Sequence, residues 1–298
     1  MRAVAALVLL ASFARPATAA ELADTLAPLL KAHRGRVAVA VKHLKTGAEF
    51  YHQADEPMPT ASLIKFPVMV EAYYQAAEKK IDFGTTLTLK KEHRVPGSGV
   101  LTSHFSDGAT FPLRDAVRLM IAVSDNTATN LVLEQTGIRP VNERMAKLGL
   151  TETRINAQVF RGSTTSVDPE RTKKYGLGST TAREMVKLLE LLQENKLVSE
   201  AACKAMIAHL RACDDTAMFK RYLPPGVLLA HKTGAVSNAR TEAGIMTLPS
   251  GPVALCVLTN ENADQRWAVD NAAQVLMANV AKAVHDHFTP PAKEAGRP

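Results

Sequence analysis

Three short strings of residues that could perform acyl transfer occur in one order along the chain. They are Ser62-Leu63-Ile64-Lys65, Ser124-Asp125-Asn126 and Lys232-Thr233-Gly234. If Ser62 begins a helix, the amine of Lys65 lies one turn further along the same face. That amine can take the proton of the serine hydroxyl if burial or a neighbouring cation such as Lys232 lowers its pKa. The strings therefore predict a serine nucleophile, a proton shuttle and an anion-binding strand.

Each string alone has a simpler structural interpretation. Ser62 can cap a helix that carries a solvated Lys65, and Ser124-Asp125-Asn126 can cap the helical segment that follows it. The Lys-Thr-Gly string can be the end of a strand. These interpretations do not explain why all three strings occur together in this order, so we favour the catalytic one.

The ordered set resembles the motifs of class A β-lactamases and penicillin-binding proteins, and the resemblance extends from about residue 22 to the C-terminal helix. It implies that Ser62 is the nucleophile and that Lys65 is the proton acceptor or its partner. Ser124 would relay a proton to the leaving nitrogen. The backbone N–H groups of Ser62 and Ala235 would form the oxyanion hole.

The resemblance also implies how a substrate is held. Asn126 would bind the amide side chain of the substrate, and Lys232 and Thr233 would bind its carboxylate. Gly234 would leave room for a close backbone approach. Arg240 is a candidate second cation for the carboxylate, although an ordinary surface arginine is the commoner interpretation. Residues 93–101 are predicted to form a loop over the mouth of the cleft.

One departure from the family concerns the residue that activates water for deacylation. Class A β-lactamases carry a glutamate, followed four residues later by asparagine, in a loop after the Ser-Asp-Asn helix. One register of this chain puts Val159 at the glutamate position, and a second register puts Thr165 or Ser166 there. The acids in the loop are Asp168 and Glu170, and either a catalytic or a solvated role is open for them.

These motifs leave three functional hypotheses, of which two are enzymatic and one is a binding function. The first is a class A β-lactamase-like hydrolase, with Glu170, Lys65 or another water path in deacylation. The second is a penicillin-binding or D-alanyl-D-alanine-peptidase-like hydrolase with slow deacylation. The third is a non-catalytic peptidoglycan-binding module. The expected partner is a small-molecule β-lactam or a D-alanyl peptide.

The coarse pattern of the chain predicts an α+β fold. Strands are expected near 37–41, 49–51, 227–231, 241–248 and 253–258, and a helix at 263–287. These form an antiparallel sheet flanked by terminal helices, with an inserted all-helical lobe and the active site in the cleft between. The predicted boundaries are a signal peptide at 1–20 and a single domain at 21–298. Its α/β lobe would be about 21–60 and 215–290, and its helical lobe about 61–214.

Composition limits the remaining function classes. The chain has 298 residues and a formal charge of +7, but the basic residues are scattered, which argues against nucleic-acid binding. A basic residue, an apolar run at 3–13 and small residues at 17–20 predict export to the periplasm or secretion. No later run is long enough to cross a membrane. We expect a monomer without metal or cofactor. We also expect no essential disulfide, because the three cysteines are an odd number and Cys203 and Cys213, ten residues apart on one predicted helical run, are too far apart to bridge.

Overall fold

The computed structural model describes residues 19–289, so the predicted signal segment lies almost wholly outside the described residues. The helices of this part of the chain are α1 (Ala19–Ala32), α2 (Lys65–Ala77), α3 (Leu101–His104), α4 (Leu113–Ala122), α5 (Asn126–Thr136), α6 (Ile138–Lys147), α7 (Gly162–Thr165), α8 (Pro169–Tyr175), α9 (Ala182–Gln193), α10 (Glu200–Arg211) and α11 (Ala272–Phe288). The strands are β1 (Arg36–His43), β2 (Glu49–His52), β3 (Met58–Pro59), β4 (Thr86–Thr88), β5 (Thr110–Pro112), β6 (Arg154–Ile155), β7 (Gly178–Thr180), β8 (Leu228–Val236), β9 (Ala239–Leu248) and β10 (Gly251–Asn260).

Five strands form one antiparallel sheet in the order β2-β1-β10-β9-β8. The terminal helices α1 and α11 pack together on one side of this sheet, and α9 and α10 contact its strands from the helical lobe. The predicted fold class, an antiparallel sheet with flanking terminal helices and an inserted helical lobe, is therefore confirmed. Strand β8 lies at the edge of the sheet and carries the Lys-Thr-Gly string.

The first strand shows why the sheet is buried on both faces. Successive side chains of a strand point to opposite sides. Val37, Val39 and Val41 join the core beneath α1 and α11, whereas Ala38 and Ala40 join the core shared with the helical lobe. Neither face of this strand is left to solvent, so the sheet is a fixed support between the two layers of helices.

The C-terminal helix begins later than the sequence pattern predicts. It starts at Ala272, whose backbone N–H donates to the Asp264 carboxylate at 2.9 Å. The Asn271 side chain accepts from the N–H of Ala273 at 3.0 Å and caps the helix. The prediction of a helix from residue 263 was therefore wrong, because these two side chains satisfy the first helical N–H groups only from 272 onward. Residues 261–271 instead form a loop that carries Trp267 to the cleft.

The three cysteines are all buried and free. Cys213 lies beyond the end of α10 and not on the same helix as Cys203. Between residues 19 and 289, no helix has the length and apolar character that crossing a bilayer requires. The same residues contain no group of three or more His, Cys, Asp or Glu side chains arranged to hold a metal ion.

Candidate active site

The three strings meet at one cleft of about 660 Å³ between the sheet and the helical lobe. Six of the eight predicted site residues line it: Ser62, Ser124, Asn126, Thr233, Gly234 and Ala235. The other two, Lys65 and Lys232, are fully buried beside it. The structure thus brings together residues that are up to 173 positions apart in the sequence.

Ser62 lies in a single 3-10 turn that leads directly into α2. The turn spans Ala61–Ile64, and Lys65 is the first residue of the α-helix. Ala61 has a φ of 45°, in the left-handed region that L-residues rarely occupy. Such strained residues persist only where their surroundings hold them, and they cluster at functional sites. The local fold therefore presents Ser62 at the cleft instead of using it as a helix cap.

Gly234 allows the Ser62 turn to lie close to the edge strand. A Cβ atom at Gly234 would lie 2.5 Å from the carbonyl oxygen of Thr60 and 2.8 Å from the backbone nitrogen of Leu63. The Thr241 hydroxyl, on the next strand, donates to the same Thr60 carbonyl at 2.7 Å. The close approach that requires this glycine is thus one between two parts of the protein itself.

Lys65 is the centre of the polar network behind the serine. Its Nζ donates to the Ser124 carbonyl at 2.7 Å, to the Ser124 hydroxyl at 3.2 Å and to Asn126 Oδ1 at 2.8 Å. Complete burial lowers the pKa of Lys65 well below its ordinary 10.5, and the positive charge of Lys232 lowers it further. Asp125 opposes the shift. Burial and the neighbouring cation therefore both favour loss of the Lys65 proton, which is the change that would let this amine act as a base.

Ser124 links the two buried lysines. Its hydroxyl accepts from Lys65 and, at 3.0 Å, from Lys232 Nζ, which also donates to the Thr233 carbonyl at 2.8 Å. Ser124 has a φ of 54° and sits between α4 and α5. Burial also lowers the pKa of Lys232. A continuous hydrogen-bond path thus runs from one amine through a hydroxyl to the other.

The middle residue of the second string has a structural task. The Asp125 carboxylate accepts from the N–H of Ala128 at 2.8 Å and so caps α5. It also accepts from the N–H groups of Val100 and Leu101 at 2.7 and 2.8 Å. The capping interpretation of this string is therefore right for Asp125, while the residues on either side face the cleft.

Residues 94–100 form a loop at the cleft, as predicted, and contribute a residue that sequence analysis did not single out. The Ser98 hydroxyl donates to the Ser124 carbonyl at 2.7 Å. Asn126 Nδ2 donates to the carbonyl of Pro96 at 2.9 Å. The loop therefore fixes the two cleft-facing residues of the second string from outside.

The loop at 156–168 forms the opposite wall, and its contacts select one of the two registers. The Asn130 side chain donates to the Val159 carbonyl at 3.0 Å and accepts from its N–H at 2.8 Å. Val159 lines the same cleft as Ser62, whereas Thr165 and Ser166 do not line it. Of the residues that the two registers propose for the hydrolytic glutamate, Val159 is thus the one at the cleft, which favours the first register.

The two acids of this loop lie elsewhere. The Asp168 carboxylate accepts from the N–H of Arg171 at 3.0 Å and caps α8. Glu170 is exposed on α8, beside Lys173 and Lys174 on a different depression of the surface. Neither lines the cleft, so the structure brings no carboxylate of this loop to Ser62.

Arg240 is neither a surface arginine nor a cation directed at the cleft. It is 1% exposed, and its guanidinium donates to the backbone carbonyls of Val236, Ala239 and Arg266. The same group stacks on the Trp267 ring at 4.6 Å. The proposed role as a second carboxylate-binding cation is therefore not supported by its position.

A second buried network lies behind the edge strand and was missed from the sequence. His231 Nδ1 lies 2.5 Å from a carboxylate oxygen of Glu242, and both side chains are fully buried. The other oxygen of Glu242 accepts from the N–H of Phe219 at 2.7 Å. Burial opposes a charge on His231, but Cys213 and Glu242 raise the pKa of this histidine to about 9. The pair supports the strand segment from which Lys232 projects.

Comparison with known proteins identifies the class that this fold and site define. A model of the β-lactamase enzyme family matches residues 21–288, and the chain belongs to that family. A β-lactamase of Bacteroides uniformis is 24% identical over 292 residues, which cover 93% of this chain and 94% of that protein. The family assigns the chain to the serine β-lactamase and penicillin-binding-protein superfamily and makes it a β-lactamase-like serine hydrolase.

Solved structures have the same fold. A β-lactamase from Sphaerobacter thermophilus superimposes with a TM-score of 0.79 at 27% identity, over 91% of this chain and 98% of that one. PBP-A, in the form of a leucine-to-glutamate mutant as its acyl-enzyme complex with penicillin G, superimposes with a TM-score of 0.77 at 22% identity, over 90% and 95% of the two chains. The fold is therefore shared by proteins of both names.

Proposed function

We propose that this protein opens β-lactam rings by forming an acyl-enzyme on Ser62 and that it releases the acyl group slowly. The observation that carries this proposal is the hydrogen-bond path from Lys65 through Ser124 to Lys232 beside the Ser62 turn. It joins a buried amine of lowered pKa to a hydroxyl that can pass on a proton. Acylation requires both of these groups, an amine that accepts a proton and a hydroxyl that donates one.

In the proposed acylation, neutral Lys65 takes the proton of the Ser62 hydroxyl as its oxygen attacks the lactam carbonyl carbon. The carbonyl oxygen becomes an oxyanion, which the backbone N–H groups of Ser62 and Ala235 stabilise. The C–N bond of the ring then breaks as Ser124 gives its proton to the leaving nitrogen. Ser124 regains a proton from protonated Lys65 along their hydrogen bond, so the cycle of protons closes.

Substrate recognition is assigned to four residues. Lys232 and Thr233 bind the carboxylate of the substrate, and a buried, desolvated ammonium makes that contact stronger than a surface one. One N–H of the Asn126 side chain donates to the carbonyl of Pro96. The second N–H is available to bind the amide side chain of the substrate. The backbone of Ala235, on the edge strand β8, borders the substrate on the side of the sheet.

Slow deacylation is proposed because the loop wall offers Val159 where a general base is expected. Val159 is 7% exposed and its backbone is fixed by Asn130. An apolar side chain cannot take a proton from water. The same observation favours a second candidate function, a D-alanyl-D-alanine-peptidase-like hydrolase for which β-lactams act as long-lived acylating agents.

We also propose that the protein acts outside the cytoplasm as a monomer. The charged and apolar segments at 1–20 support export. A periplasmic or secreted location would give the enzyme access to both substrate classes, D-alanyl peptides and β-lactams.

Intact-mass spectrometry after mixing with penicillin G tests the function. We expect an adduct of one penicillin on Ser62 that persists, with no adduct on the Ser62→Ala variant. An adduct that forms and disappears quickly would favour a rapid β-lactamase over the peptidase-like candidate. Failure to form any adduct would contradict the proposal and favour the non-catalytic interpretation, whereas an adduct that survives Ser62→Ala would contradict it by showing that another residue is acylated.

A further inference from the structure

Three large apolar side chains are unusually exposed at the mouth of the cleft. Phe160 is 66% exposed, Trp267 is 71% exposed and Val236 is 41% exposed, and all three line the same cleft as Ser62. Single exposed apolar residues are ordinary on protein surfaces, but a group that borders one cleft indicates a binding surface. The polar groups assigned to acylation leave these three side chains without a role.

The backbone of Phe160 is held in place, and its ring is exposed. Its φ is 57°, which is rare for a bulky residue, and the residue before it is fixed at both backbone groups by Asn130. A Cβ atom at Gly97 would lie 3.3 Å from the Phe160 ring and 2.6 Å from the amide nitrogen of Asn126. The Phe160 ring and the Asn126 amide therefore both lie next to Gly97 and close to each other.

Trp267 is also held, on the other side of the cleft. Its ring stacks on the guanidinium of Arg240, which is bound by three backbone carbonyls and cannot easily move. Arg240 thereby ties the loop at 261–271 to the turn between β8 and β9. Rigid aromatic surfaces of this kind bind a ligand without a large loss of conformational entropy.

We infer that Phe160, with Trp267 as the second wall, makes the cleft selective for substrates with an aromatic group on the acyl amide. The inference rests on the proposed function, because it takes Asn126 as the partner of the substrate amide. The group attached to that amide would therefore extend from Asn126 toward the Phe160 ring. An aromatic group there buries apolar surface on both partners and stacks ring against ring.

The test compares two penicillins that differ only in the ring of the side chain. Penicillin G has a phenylacetamido group, and its acetamido analogue keeps the amide, the bicyclic nucleus and the carboxylate. The measured quantity is the second-order rate constant of Ser62 acylation. We expect the wild-type protein to prefer penicillin G by roughly three- to tenfold, the size of a good aromatic contact.

Phe160→Ala should remove most of that preference, so that the ratio of the rate constants for penicillin G and the acetamido analogue falls toward one. Phe160→Leu should retain part of it, and Trp267→Ala should reduce it by less than Phe160→Ala does. The matched control is Phe105→Ala, because Phe105 is an aromatic residue of 42% exposure that does not line the cleft. The melting temperature of each variant reports whether it has folded.

The outcomes separate this inference from the function on which it rests. Equal acylation by the two penicillins in the wild type, or a preference that survives in folded Phe160→Ala, would overturn the aromatic subsite and leave the proposed function intact. No acylation by either penicillin would overturn both.

Discussion

The two walls of the cleft use their polar groups differently. On the motif wall, hydrogen bonds of 3.0 to 3.2 Å join two fully buried lysines, Lys65 and Lys232, to Ser124, which lines the cleft. On the loop wall, the residues that line the same cleft include Gln158 and the apolar Val159 and Phe160, but no acid. Under the proposed function, the motif wall would carry proton transfer during acylation, whereas the loop wall offers no carboxylate to activate water; Asp215, a carboxylate that also lines the cleft, lies outside this loop, between α10 and β8. Under the proposed function, acylation and deacylation therefore depend on separate parts of this fold.

The strongest effect is expected from removing the cation of the motif wall. Lys232→Ala should lower kcat/KM for carboxylate-bearing acyl donors by ~2–4 kcal/mol at the transition state, or roughly 30- to 1,000-fold. Neutral ester donors should lose much less, because they make no charge-assisted contact with this ammonium. The measurement is acylation by a matched pair of charged and neutral donors. Equal losses for the two would show that Lys232 does not select the carboxylate.

A second variant adds to the loop wall the group that it lacks. Val159→Glu should accelerate loss of the penicilloyl group by about a hundredfold, the lower end of general-base assistance. Val159→Gln has nearly the same shape but cannot take a proton, and it should release the group at the wild-type rate. Decay of the adduct by mass spectrometry distinguishes the two. Equal rates for Glu and Gln would show that residue 159 is not where a base can act.

The pH dependence of acylation should report Lys65. Its pKa is lowered by burial and by Lys232, so acylation by a neutral ester should rise with pH on a limb centred well below 10.5, as the amine loses its proton. In Lys232→Ala the limb should move to higher pH, because one cation no longer disfavours protonated Lys65. Lys187→Ala, a half-exposed lysine on α9, is the control and should leave the limb in place. If Lys232→Ala does not move this limb of the pH profile, the charge of Lys232 does not lower the pKa of Lys65.

The smallest effect is expected at the exposed acid of the loop. Glu170→Gln should leave both formation and loss of the acyl-enzyme within about twofold of wild type, because this carboxylate does not line the cleft. A prolonged acyl-enzyme in this variant would mean that α8 moves Glu170 toward Ser62 during turnover, which would contradict the described arrangement of the loop wall.

The motif residues could be predicted from sequence because their types and order carry the chemistry. The fold class followed from strands at both ends of the chain and helices between them. The register of the loop could not be decided in this way, since it depends on the contact between Asn130 and Val159, which are 29 positions apart. The short helical signals of that loop do not reveal which side chain faces the cleft.

Other parts of the site depend on pairings that have no sequence signature. The buried pair of His231 and Glu242 requires knowledge of which residues of β8 and β9 lie on one face of the sheet. Trp267 reaches the cleft because Asp264 and Asn271 delay the start of α11. Arg240 is buried because its guanidinium meets backbone carbonyls of a hairpin and a loop, which only the tertiary fold brings together.

Stopped-flow measurement of penicillin G opening with excess substrate separates acylation from deacylation in one experiment. We predict a rapid burst of one ring opened per enzyme molecule, followed by a much slower steady state. The burst should scale with enzyme concentration and disappear in Ser62→Ala. A fast, linear turnover without a burst would contradict the account, because it would require an activated water that Val159 and its neighbours do not provide.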